Sequence, residues 1–178
     1  MAGSPSPPHS LVSGEVAAAL TARAMATPPG AFVEVGVYHG GTAWHLARAA
    51  EAQLRGCFLY DTFSGIPHRS DGDSHQVGDF KDVTIEQVKR DIPYALVIEG
   101  VFPGSAIPMG PIAFVHLDCD QYQSYREALE YFDSRMVKGG LIWCDDVPAL
   151  PSAERAVREY AARFGRVVEV AEKAFIRY

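Results

Sequence analysis

The sequence predicts an α/β fold: a doubly wound, Rossmann-like sheet that is mostly parallel. Three observations point there. Seven apolar runs alternate with amphipathic stretches along the chain. The runs are apolar almost throughout, which marks strands covered on both faces rather than strands with one wet side. The last two runs are joined by a short turn around Glu172 and Lys173, too short for a parallel crossover, so the final strand should be antiparallel.

Each element follows from local composition. Residues 1–10 are rich in Pro and Ser and read as a disordered tail. Residues 11–25 are Ala-rich and favour helix. The runs 31–37, 57–61, 95–99, 112–118, 140–145, 166–171 and 174–178 read as strands. The stretches 41–54, 82–91, 121–136 and 152–164 read as helices. With 178 residues, one domain over 11–178 is expected. The polar stretch 62–80, with Gly65, Pro67, Gly72 and Gly78, is long for a loop and is the candidate lid.

Composition excludes several classes. A net charge of −6 argues against a nucleic-acid binder, which needs a basic surface. No apolar run approaches the ~20 residues of a membrane span, and no basic-then-apolar leader is visible. Cys57, Cys119 and Cys144 lie in or at the end of apolar runs and without metal-ligand spacing, so they read as buried thiols of a reducing compartment. A cytoplasmic location is the expectation.

Two features carry chemistry. The first strand runs into 34-EVGVYHGGT-42, where Gly36 permits a tight turn and Gly40 and Gly41 allow close backbone approach to a ligand. The spacing is not the G-x-G-x-x-G that cradles a pyrophosphate. Asp61 ends the second strand, where such folds hold ribose hydroxyls. A nucleoside-bearing ligand without a pyrophosphate fits both. The second feature is a repeat: 114-FVHLDCD-120 and 141-LIWCDDV-147 each drive an apolar strand into carboxylates. If the two strands are neighbours, ~5 Å apart, Asp118, Asp145 and Asp146 converge at the ligand-binding edge. Without a cation one or more must take up a proton; with Mg²⁺ the charge is met by oxygen ligands. Asp120 is left free to act as general base.

Other residues read as structural. His116, inside a strand, is expected to be a satisfied core residue, and Trp44 and Trp143 are expected to pack. Tyr122 and Tyr125 open a helix beside Asp120. His39 and His75 are weak candidates for contact with substrate, and the charges of 152–164 read as a solvated face.

Six stretches, 33-VEVGVYHGGT-42, 60-YDTFSGIP-67, 78-GDF-80, 115-VHLDCDQYQS-124, 138-KGGLIWCDD-146 and 153-AERAVREY-160, together resemble the macrocin O-methyltransferase family. The resemblance implies a class I methyltransferase fold with a seventh, antiparallel strand. It also implies S-adenosylmethionine and Mg²⁺ as cofactors and a hydroxyl of a deoxysugar or similar diol as acceptor. Carried over by position, Gly36, Tyr38, Gly40 and Thr42 line the methionine part of the cofactor, with Glu34 and Asp118 counted in the same site. Asp61 takes the ribose hydroxyls, Thr62 and Phe63 lie beside the adenine, and Gly100 and Val101 lie on its other side. Asp118, Asp145 and Asp146 hold the metal, and Asp120 is the base. A Lys found three residues after the first metal ligand in catechol methyltransferases is Gln121 here, which disfavours a catechol. A phenolic acceptor for the same fold, or a non-catalytic cofactor-binding subunit, are the alternatives. The expected partner is a small molecule, neither nucleic acid nor membrane, with a homo-oligomer left open.

Overall fold

The computed structural model describes residues 7–178, so residues 1–6 of the expected tail lie outside the described residues. The elements are α1 (Gly14–Met25), β1 (Ala31–Val35), α2 (Gly41–Ala52), β2 (Cys57–Asp61), α3 (Ile85–Asp91) and β3 (Leu96–Glu99). They continue with β4 (Ile112–Leu117), α4 (Tyr122–Asp133), β5 (Met136–Cys144), α5 (Pro151–Phe164), β6 (Val168–Val170) and β7 (Ala174–Arg177). The seven strands form one sheet in the order β3-β2-β1-β4-β5-β7-β6. The five from β3 to β5 pair in parallel, whereas β7 is antiparallel to both β5 and β6. The short turn at Glu172 and Lys173 thus has the consequence expected of it.

Alternation along the strands supplies two cores. Val33, Val35, Val115, Leu117 and Ile142 pack against α4 and α5 through Tyr125, Leu129, Phe132 and Val157. Phe32, Leu59, Phe114 and Trp143 pack on the other face against Leu20, Leu46 and Val88 of the first three helices. All six residues of β4 are buried, which is why the central strand reads as an unbroken apolar run.

Boundaries moved where backbone chemistry intervened. β5 begins at Met136 rather than 140, because a register shift between Ile112 and Phe114 lets the strand pass through Gly139 at φ +85. An apolar pattern does not reveal such an irregularity. α3 begins at Ile85 rather than 82, because Thr84 and Gln87 form a reciprocal capping box.

The parallel ladder continues beyond the strands to their C-terminal tips. Gly36 N–H donates to Tyr60 O, Asp118 N–H to Val35 O, Gly100 N–H to Asp61 O and Asp145 N–H to Leu117 O, all at 2.8–3.0 Å. The residues singled out from sequence at the ends of β1 to β5 therefore stand in one row. Gly36 is obligatory in that row: its φ is +92, and a Cβ would lie 1.8 Å from the Asp118 carbonyl oxygen.

Candidate active site

A cleft of about 820 Å³, its open mouth included, runs along the row of tips. Of the residues expected at the cofactor, Gly36, Tyr38, Asp61 and Thr62 line it from β1 and β2. Gly100, Val101, Asp118 and Asp120 line it from β3 and β4. Asp61 has a structural task as well. Its Oδ2 accepts the N–H groups of Val37 (2.7 Å) and Tyr38 (2.8 Å), and its Oδ1 that of Phe63 (2.9 Å). The carboxylate thus shapes the glycine turn and still has a lone pair for a ligand hydroxyl.

Four expected residues stand behind the wall rather than on it. Gly40 is the N-cap of α2 at φ 89. Glu34 is fully buried and accepts the hydroxyl of Thr42, itself buried. Phe63 packs against the core on the α2 face. Ahead of α1, Leu11 reaches the cleft. The Ser10 side chain stands 2.4 Å from where a Cβ on Gly41 would be, so the α2 N-terminus is covered closely and only glycine fits there.

The acidic side is assembled as the strand order requires. Leu117 pairs with Cys144, which brings Asp118 and Asp145 side by side at the tips of β4 and β5. Asp120, at φ 59, is turned back so that its N–H donates to Asp146 Oδ2 at 3.0 Å. Positive φ at Asp costs modest strain and is found at functional sites. Burial, then the Asp146 charge, pushes the Asp118 carboxyl well above its ordinary range. Burial, Asp146 and Asp145 push Asp120 up to about 8. Burial also raises Asp146, against hydrogen bonds from Tyr125 and the Asp120 N–H. These shifts run in the direction anticipated for this cluster without a cation.

Asp145 behaves differently. Burial would raise it, but His116 and Lys173 together hold it below the usual carboxylate range. Its Oδ1 accepts the Trp143 indole N–H at 3.0 Å and faces His116 Nε2 at 3.4 Å. Its Oδ2 accepts from Lys173 Nζ at 2.6 Å. His116 Nδ1 lies 3.0 Å from Glu34 Oε1. Burial lowers its pKa, but the facing Asp145 and Glu34 carboxylates outweigh that and push it up to about 10. His116 is thus buried between two carboxylates, and the expected satisfied core residue is satisfied on one side only: Nδ1 meets Glu34, while Nε2 has no hydrogen-bond partner among the described residues. Trp143 is a donor as well as a packing residue. Glu34, His116 and Asp118 bring one ligand atom each within 4.8 Å, a different trio from the expected one that shares only Asp118. The 3.0 Å contact of Glu34 with His116 accounts for two of the three.

Asp118, Asp120, Asp145 and Asp146 offer the oxygen ligands and the negative charge that a hard divalent cation takes, and burial together with their mutual repulsion raises the pKa of Asp118, Asp120 and Asp146. Cys119 and Cys144 do not compete, since burial first, and then the nearby aspartates, push both thiols up and keep them protonated.

The 62–80 loop is fastened over this region. Asp73, buried, accepts the Tyr122 N–H at 2.9 Å and so caps α4, whose own N-cap Gln121 makes no side-chain cap. Gln121 Nε2 donates to His75 O, and His68 Nε2 lies 3.0 Å from Ser124 Oγ. His75 stands 3.4 Å from Asp120, whereas His39 turns to Asp82. No helix among the described residues is long and apolar enough to cross a membrane.

Comparison with known proteins agrees with this geometry. The family model described as Macrocin-O-methyltransferase (TylF) matches residues 15–170. A Streptomyces olivaceus protein named 8-demethyl-8-(2,3-dimethoxy-alpha-L-rhamnosyl)-tetracenomycin-C 4'-O-methyltransferase is 31% identical over 158 residues, 77% of this chain and 60% of its own. The demethyldecarbamoylnovobiocin O-methyltransferase of Streptomyces niveus is 32% identical over 158 residues, 76% of this chain and 60% of its own. The chain therefore spans about 60% of the length of the curated relatives it matches. Among solved structures, the O-methyltransferase NovP superposes with a TM-score of 0.77 at 23% identity, over 92% of this chain and 78% of that one. CalS11, a calicheamicin methyltransferase, gives 0.71 at 20% identity, over 92% and 77%. These two likenesses establish the class I methyltransferase fold.

Proposed function

Because the chain belongs to the macrocin O-methyltransferase family, we propose that it transfers a methyl group from S-adenosylmethionine to a hydroxyl of a sugar or similar diol, with Mg²⁺ in the site. The observation that carries this reading is the convergence of Asp118, Asp120, Asp145 and Asp146 beside a cleft lined by Gly36, Asp61 and Gly100. The relatives' names, one of them specifying the 4'-oxygen of a rhamnosyl compound, favour a sugar acceptor.

S-adenosylmethionine supplies an already electrophilic methyl, and a hard cation lowers the pKa of a hydroxyl it ligates. The chain does the rest. Gly36 and Gly100 let the backbone approach the donor, and the free lone pair of Asp61 receives a ribose hydroxyl. Asp118, Asp145 and Asp146 would hold the ion. Asp120, on the cleft wall, takes the proton of the acceptor hydroxyl. Gln121 does not compete for that role: it is buried, with its amide bonded to His75 O. The 62–80 loop excludes water from the transfer.

Magnitudes rank these contributions. Holding two reactants in line is worth ~7–11 kcal/mol, and a positioned base a factor of about 10²–10⁴, or ~3–5 kcal/mol. Positioning is the larger effect. The reading is tested by incubating the protein with S-adenosylmethionine and a panel of glycosides and phenols, with Mg²⁺ or with EDTA. Methyl transfer to a sugar hydroxyl that stops in EDTA supports it. Transfer that persists in EDTA removes the metal, and transfer only to phenols replaces the acceptor class.

A further inference from the structure

We propose that Lys173, in the turn between β6 and β7, is a positioning residue that aims Asp145 at the metal. The inference rests on the proposed metal-dependent reading of the site and concerns a residue outside the glycine turn and the acidic motifs.

Lys173 Nζ grips Asp145 at two points, the side-chain Oδ2 and the main-chain carbonyl oxygen, both at 2.6 Å. Two bonds from one ammonium to one residue fix the peptide and the side-chain torsions together. A surface ion pair does not do this. Neither partner is free to wander: the Lys173 side chain keeps 22% of its exposure and that of Asp145 7%. A polar group withdrawn from water needs acceptors, and Asp145 supplies both of those that Lys173 Nζ has among the described residues.

Lone-pair counting shows what the grip leaves. Each carboxylate oxygen offers about two acceptor sites. On Oδ1 the Trp143 indole takes one and His116 stands against the other. On Oδ2 Lys173 takes one. Among the described residues one site stays open on each oxygen, that on Oδ1 facing the buried His116 ring, so Oδ2 is left as the freer oxygen from which Asp145 can offer an electron pair. The hairpin turn that carries Lys173 is itself held, by the Ala171 N–H donating to Lys173 O at 2.9 Å and by the pairing of Ala174 with Cys144. The antiparallel end of the sheet thus reaches back to orient a carboxylate at its parallel centre. Partners of this kind behind a metal ligand typically change metal affinity by about 10–100-fold when removed.

The opposite effect is also physically available. Lys173 adds positive charge near the ion, and its removal alone would strengthen metal binding. The experiment decides between the two. Mn²⁺ alone, without donor or acceptor, is titrated into wild type, Lys173→Met, Lys173→Arg and Trp143→Phe, with free Mn²⁺ followed by electron paramagnetic resonance. Melting is recorded for each in EDTA. The expected result is a 10–100-fold weaker Mn²⁺ affinity in Lys173→Met, a smaller loss in Trp143→Phe, and partial recovery in Lys173→Arg. Unchanged or tighter binding in Lys173→Met overturns the inference and makes Lys173 a counter-ion only. Weakening that simply tracks a fall in metal-free melting temperature across the variants also overturns it. Wild type that takes up no Mn²⁺ overturns the metal reading itself, a separate failure.

Discussion

The two halves of the cleft are built from different materials. On the donor side, at the tips of β1, β2 and β3, the work is done by backbone: Gly36 and Gly100 at positive φ, and Asp61 with three N–H bonds already made. On the acid side, at the tips of β4 and β5, the work is done by charge, and that charge is unbalanced. Asp118 and Asp120 are pushed up by burial and by Asp146. The donor half is preorganised as it stands, whereas on the proposed reading the acid half awaits a cation. Asp145 is the exception that joins them, since its countercharges are His116 and Lys173, and His116 leads through Glu34 to Thr42 at the start of α2.

The strongest way to break the comparison is Asp120→Asn. It should lower turnover by about 10²–10⁴ while leaving S-adenosylmethionine affinity within about twofold. A matching loss of donor affinity, read by calorimetry, would mean that the halves are not separable. Gly36→Ala comes next, because this glycine touches both halves. The added methyl meets the Asp118 carbonyl and the backbone is held at φ +92. A destabilisation of about 2–4 kcal/mol is expected in denaturant melts, and a loss below 0.5 kcal/mol would show that the tips can part.

The third test uses pH. Asp120 has a folded pKa of about 8 against an ordinary 3.8. A raised value means that its contribution to stability is complete below about pH 4 and is lost as pH rises through about 8. Protein in EDTA should therefore melt lower at pH 8 than at pH 5, and Mg²⁺ should restore more at pH 8. Buried His116, with a folded value of about 10, extends the decline to more alkaline pH. Equal Mg²⁺ effects at the two pH values would contradict the protonated acid half. The smallest expected effect is that of Asp73→Ala. It removes the lid's cap on α4 and should cost about 1 kcal/mol, with protease sensitivity appearing within 62–80; an unchanged melt and cleavage pattern would show that the loop is fastened elsewhere.

Much of this was legible in the sequence for a physical reason. Strands buried on both faces write themselves as apolar runs, and their tips are marked by the residues that break them. Gly36, Asp61, Asp118 and Asp145 were located in that way. The interior network was not. Glu34 and His116 are paired across β1 and β4, and each is the polar interruption of a buried strand. Two such interruptions at equal distance from neighbouring tips were a usable signal for an ion pair. Lys173 gave no local signal, because its partner is 28 residues earlier and its turn reads as any hairpin turn. Asp73 was similarly hidden in a polar loop, since a cap supplied from elsewhere in the chain leaves no mark beside the helix it caps.

The claim beneath all of this is that the acid half holds protons that a divalent cation must displace. Calorimetric titration of Mg²⁺ into the protein at pH 7, repeated in buffers of different ionisation enthalpy, counts those protons directly. The predicted result is binding with release of about one proton or more per ion. Binding that releases none, or no binding at all, would contradict it.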